Sequence, residues 1–106
     1  MLVTNDQDEI NHTQNELKQE LYRAFLLIKD EQEMAKFLQD LCTPQEIRDL
    51  AERWRVCQML AVGDLSYRQI NALTGASLAT IGRVSRFLKE EPYRGYQLVL
   101  NRLAKK

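Results

Sequence analysis

The stretch at residues 66–84, Ser-Tyr-Arg-Gln-Ile-Asn-Ala-Leu-Thr-Gly-Ala-Ser-Leu-Ala-Thr-Ile-Gly-Arg-Val, restricts the fold more than any other part of the chain. Two short amphipathic segments meet there across a glycine. When two helices cross at a steep angle over a turn of three or four residues, the turn needs a glycine or another small residue, and the facing positions need apolar side chains at fixed offsets. Ser66 starts a short helix that runs through about Leu73, Gly75 permits the tight turn, and Ser77 caps a second helix from Leu78 to about Lys89. Ile70 and Leu73 are expected to face inward from the first helix. Ala76 packs beneath the turn, and Ile81 and Val84 anchor the second helix. The pattern is that of a helix-turn-helix at residues 66–89.

The remaining residues also read as helix. From Thr13 onward Leu17, Leu21, Phe25 and Ile28 recur at helical spacing, and Ala24 and Leu26 widen the stripe. A shorter helix is predicted over Glu31 to Leu41, with Met34, Phe37, Leu38 and Leu41 on one side. Thr43-Pro-Gln-Glu46 is a helix start in which the threonine caps, the proline is preset for the first turn and the glutamate closes a capping box. The helix that follows carries Ile47, Leu50, Ala51, Trp54, Cys57 and Ala61 on one stripe, flanked by Met59 and Leu60, and ends near Gly63, which suits a C-cap. After Pro92 the periodicity resumes from Tyr93 to Leu103 with Tyr96, Val99, Leu100 and Leu103. No strand pattern competes, so the fold class is all-α with six helices. Residues 1–12 read as a flexible polar arm, and residues 13–106 as a single helical domain, the size expected of a chain of 106 residues.

Formal net charge is zero, which taken alone argues against nucleic acid as a partner. The distribution reverses that inference. Residues 1–65 carry seven Lys or Arg against thirteen Asp or Glu, and residues 66–106 carry eight against two, so the halves are −6 and +6. Between residues 66 and 89 stand Arg68, Arg83, Arg86 and Lys89 with no acidic residue. Such an asymmetry also arises when an acidic helix pairs with a basic one. Combined with the turn glycine, the caps and the inward apolar positions, it points to a face that meets DNA phosphates. The N-terminal part of the second helix is what reaches base edges in the major groove. The DNA-facing set is therefore Tyr67, Arg68, Ser77, Leu78, Ala79, Thr80, Gly82, Arg83 and Arg86. Ser77 and Thr80 are placed to bond phosphate oxygens, and Arg68 to reach a phosphate or the paired acceptors of a guanine.

Other functions find little support. The one histidine, His12, falls in the arm, and no nucleophile stands beside a base, so no catalytic residues are assigned. Cys42 and Cys57 are fifteen residues apart, without zinc-site spacing, and read as reduced thiols; no metal or cofactor is expected. No apolar run is long enough to cross a bilayer and residues 1–11 are polar and acidic, which gives an expectation of a cytoplasmic protein without a membrane partner. An RNA platform would need stacking aromatics that the motif lacks. The stronger alternative is a protein-interaction module that docks a protein partner on the helix-turn-helix surface.

With Thr43-Pro-Gln-Glu46, Arg53-Trp-Arg55 and Leu73-Thr-Gly-Ala-Ser-Leu-Ala-Thr-Ile-Gly-Arg83 in place, the chain resembles the Trp repressor-like superfamily, most closely the Trp-repressor-related group labelled YerC/YecD. The resemblance spans about residues 17–103. It implies an intertwined homodimer whose first, third and last helices build a shared core, with two heads that meet successive major grooves of a palindromic operator about 34 Å apart. It also implies a ligand pocket at Thr43, Arg53, Arg83, Val84 and Phe87. At that pocket Val84 and Phe87 stand where the Trp repressor has a glycine and a serine, and Cys42 replaces a leucine at the edge. The added volume competes with an indole ring, so tryptophan is not expected to be the corepressor.

Overall fold

A computed structural model describes residues 13–105, and the arm expected at residues 1–12 lies outside the described residues. Six α-helices occupy the described residues, with no strand among them: α1 Gln14–Leu26, α2 Glu31–Leu41, α3 Pro44–Val62, α4 Tyr67–Thr74, α5 Leu78–Lys89 and α6 Gly95–Ala104. They fall into two compact units, Met1–Leu41 and Cys42–Lys106.

In the first unit, the Thr13 hydroxyl caps α1 by accepting from the Glu16 N–H at 3.1 Å. Before α2, the Asp30 carboxylate accepts from the Glu33 N–H, and the Glu33 carboxylate accepts from the Lys29 N–H, both at 2.9 Å. Phe25 and Phe37 meet edge to face with ring centroids 5.5 Å apart. Neither helix contains a buried residue. The stripe predicted along α1 exists, but Leu17 and Leu21 are exposed while Phe25 and Ile28 are half-buried. The helix also stops at Leu26, two residues short of the predicted reach to Ile28.

The second unit holds the core. Val56, Cys57 and Leu60 of α3, Ile70 of α4, Ala76 of the turn, and Ile81, Val84 and Leu88 of α5 are all buried. Trp54, Met59, Leu65, Tyr96 and Leu100 pack against them. Each fully buried aliphatic side chain contributes roughly 1.5–3 kcal/mol of transfer free energy. The α3 stripe read from the sequence is half right. Cys57 is buried and Ile47 and Trp54 half-buried, but Leu50, Ala51 and Ala61 are exposed, and Val56, absent from the predicted stripe, is fully buried. All core residues of α3 lie in its C-terminal half, and there they define a face rotated from the one that periodicity over the whole helix selects.

Both ends of α3 follow the sequence. Thr43 and Glu46 form a reciprocal capping box, with the Glu46 N–H on the Thr43 hydroxyl at 3.1 Å and the Thr43 N–H on the Glu46 carboxylate at 2.8 Å. Gly63 closes the helix in the left-handed region, φ 84°, where a side chain would be strained. The last helix starts at Gly95 instead of Tyr93, because Arg94 takes a left-handed conformation, φ 64°, at the N-cap.

Candidate nucleic-acid interface

α4, the turn and α5 form the predicted helix-turn-helix. Ser66 caps α4 in a capping box with Gln69, the Gln69 N–H on the Ser66 hydroxyl at 3.1 Å and the Ser66 N–H on the Gln69 side-chain oxygen at 2.8 Å. Gly75 takes φ 79° as its C-cap, and its N–H donates to the Asn71 carbonyl at 2.8 Å. Two side chains that the sequence reading passed over lock the turn. The Asn71 amide donates to the Ala76 carbonyl at 2.7 Å. The Thr74 hydroxyl donates to the Ile70 carbonyl at 2.7 Å and accepts from the Ala76 N–H at 3.0 Å. Their sequence signal was the usual one for Asn and Thr, short polar side chains that bond nearby backbone.

Ile70, Ala76, Ile81 and Val84 face inward as expected, at 0–1 % exposure. Leu73 does not. It is 64 % exposed, because α4 is only eight residues long and its sole buried residue is Ile70. The position sits at the rim, with Thr74 turned back toward the helix backbone.

The outer face of α5 is the one drawn from the sequence. Leu78, Ala79, Arg83 and Arg86 are exposed and Gly82 is partly so, while Ile81, Val84, Ser85 and Leu88 are buried on the opposite side. Tyr67 and Arg68 are exposed at the start of α4. The helix-cap residues are more committed than expected. Ser77 accepts from the Thr80 N–H and donates to the Thr80 hydroxyl, both at 3.0 Å. The Arg83 guanidinium lies 4.3 Å over the ring of Phe87 and that of Arg86 lies 5.1 Å from the same ring. Glu91, just beyond the acid-free interval, comes within 4.0 Å of Arg86. Because Arg86 is more than half exposed, that contact is weak and does not neutralise the face.

Beside this face lies an open groove of about 700 Å³. Arg53 and Trp54 of α3, Arg83, Val84 and Phe87 of α5, and Tyr93, Arg94, Tyr96 and Val99 line it. Four of the five residues assigned to a ligand pocket thus meet at or beside one surface, although Val84 itself is only 1 % exposed. Thr43 is not among the lining residues; its hydroxyl caps α3. Phe87 stacks on Tyr93 at 6.1 Å and carries Arg83 on its ring, so it occupies a stacked position next to the guanidinium. Burial raises the Tyr96 hydroxyl above its ordinary pKa, a rise the Cys57 thiol adds to and the Arg53 and Arg83 guanidiniums oppose. Among the described residues no group of His, Cys, Asp and Glu is arranged to hold a metal ion, and no helix is long and apolar enough to cross a membrane.

The chain is similar to known proteins of one family. The family profile described as Trp repressor protein matches residues 15–104. The uncharacterized protein YerC of Bacillus subtilis is 42 % identical over 84 residues, 79 % of each chain. A Trp operon repressor homolog of Chlamydia trachomatis is 36 % identical over 72 residues, 64 % of this chain and 77 % of that one. The crystal structure of a TrpR like protein from Eubacterium eligens superimposes with a TM-score of 0.77 at 38 % identity, covering 92 % of this chain and 95 % of that one.

Proposed function

This chain belongs to the Trp repressor family of DNA-binding regulators, and from that premise we propose that it represses transcription by binding a palindromic operator as a homodimer. Residues 13–106 act as one DNA-binding domain in the cytoplasm. The observation that carries the reading is the outer face of α5, where exposed Leu78, Ala79, Arg83 and Arg86 stand clear of the core without an acidic residue between positions 66 and 89. Arg68 joins them from α4. A surface of that kind gains affinity by displacing counterions from phosphates.

Faces that one copy leaves uncovered support the homodimer. Leu17 and Leu26 of α1, Leu50 of α3, and Leu98, Val99 and Leu103 of α6 are each 45–83 % exposed, and α1 and α6 contain no buried residue. A second copy covers them and sets the two heads on successive major grooves. Tryptophan is not the corepressor in this reading, since Phe87 already holds the stacked place beside Arg83.

Salt dependence separates DNA binding from docking of a protein partner. Anisotropy titrations with labelled duplex from 50 to 200 mM salt should show affinity falling by roughly three orders of magnitude or more if six or more phosphates are neutralised. Binding that is absent, or insensitive to salt, would favour the protein-docking alternative.

A further inference from the structure

The first turn of α5 offers DNA an unusual tip. Ser77 and Thr80, its two hydroxyl residues, are bonded to one another and to the helix end at 3.0 Å. Between them stand Leu78, 54 % exposed, and Ala79, also exposed. One turn further on the same face, Gly82 has no side chain, and apart from its chain neighbours and the backbone of its own helix nothing lies within 4 Å of where a Cβ would stand. Helical side chains lean toward the N-terminus, so Leu78 reaches over the end of the helix, toward whatever the helix points at. The tip therefore presents the apolar Leu78, while Arg83 and Arg86 follow along the same helix and Arg68 stands on α4.

We propose that Leu78 reads thymine by packing against its 5-methyl group in the major groove, with Ala79 beside it. This rests on the DNA-binding reading above. The occupant is set by complementarity of two kinds: the acid-free arginines of the motif fit phosphates, and Leu78, an exposed apolar side chain at the tip with no hydrogen-bonding group of its own, fits the methyl group that thymine displays in the major groove. A guanine, an adenine or a cytosine at the same place offers Leu78 no methyl group to pack against, and covering its hydrogen-bonding groups with Leu78 leaves them without a partner.

The test uses the intact protein and a duplex it has selected from a random pool. Each thymine is replaced in turn by 2′-deoxyuridine, which removes the methyl and keeps every hydrogen-bonding group. Wild-type protein should bind roughly four-fold more weakly for each methyl lost at one symmetric pair of positions, and Leu78→Ala should bind the thymine and uracil duplexes alike. Equal wild-type affinity for every uracil-substituted duplex would overturn the proposal, and so would a methyl effect that persists in Leu78→Ala. Failure to select any duplex would instead overturn the DNA-binding reading itself. Leu78 is exposed at the first position of α5, so the variant should keep the wild-type helical circular dichroism.

Discussion

Gly82→Ala should raise stability and lower DNA affinity together. Position 82 lies inside α5, where glycine costs about 0.8–1.0 kcal/mol of helix propensity relative to alanine. Nothing packed against this helix opposes the added methyl, since no atom outside the adjoining residues and the helix's own backbone lies within 4 Å of the Cβ position. The full propensity difference should therefore appear as stability, about 1 kcal/mol, or about 4–8 °C in melting temperature for a domain of this size. The same open space is where the duplex must come if the outer face of α5 enters the major groove. A methyl forced into a packed contact costs roughly 1–3 kcal/mol, which is about 5- to 150-fold in affinity. Thermal unfolding followed by circular dichroism at fixed protomer concentration gives the first quantity, and anisotropy with a selected duplex gives the second. A stabilised variant with wild-type affinity would refute the close approach of DNA to this face. A destabilised variant would refute the reading of position 82 as an unobstructed helical site.

Arg68→Ala and Arg83→Ala should each weaken DNA binding while leaving the fold intact, with Arg68 carrying sequence discrimination of about 1–3 kcal/mol where it meets a guanine; unchanged binding by both at moderate salt would show the face to be misassigned. Calorimetry with L-tryptophan should detect no micromolar binding, and DNA affinity should be the same with and without it; a large gain on adding tryptophan would mean that the groove takes an indole ring despite Phe87. Light scattering at micromolar concentration should return a dimer of the 12.4 kDa chain, and a folded monomer would remove the shared-core account. Burial pushes the Cys57 thiol from its ordinary 9.0 to about 11. Because the folded value is the higher one, the associated stability is complete below about pH 9 and is lost as pH rises through about 11, so wild type should lose about 2–3 kcal/mol more than Cys57→Ala over that window; parallel pH profiles would contradict it.

Elements with strong local grammar were legible in the sequence. Thr43 with Pro44 and Glu46, Ser77, Gly63 and Gly75 each do in the structure what their residue type and spacing require. The outer face of α5 was legible too, because its inward partners Ile81, Val84 and Leu88 repeat at helical spacing on the opposite side. Tertiary choices were less so. Periodicity over the whole of α3 put Leu50 and Ala61 on one stripe with Cys57 and passed over Val56, since within one chain only the C-terminal half of that helix meets the core. Leu73 was placed inward by its distance from Ile70, but an eight-residue helix presents too narrow a face to bury both. Arg94 gave no warning: an arginine in a left-handed N-cap is uncommon, and it moved the start of α6 two residues past the resumed pattern. At the candidate site, residue types alone could not show that Ser77 and Thr80 bond one another or that Phe87 meets both Arg83 and Tyr93.

Selection of bound duplexes from a random DNA pool by the purified protein tests the central claim most directly. The recovered sequences should converge on a palindrome whose half-sites are centred about one helical turn apart, roughly 10 base pairs, as two recognition helices on successive major grooves require. Recovery of an unenriched pool, or of sequences without two-fold symmetry, would contradict a dimeric operator-binding repressor.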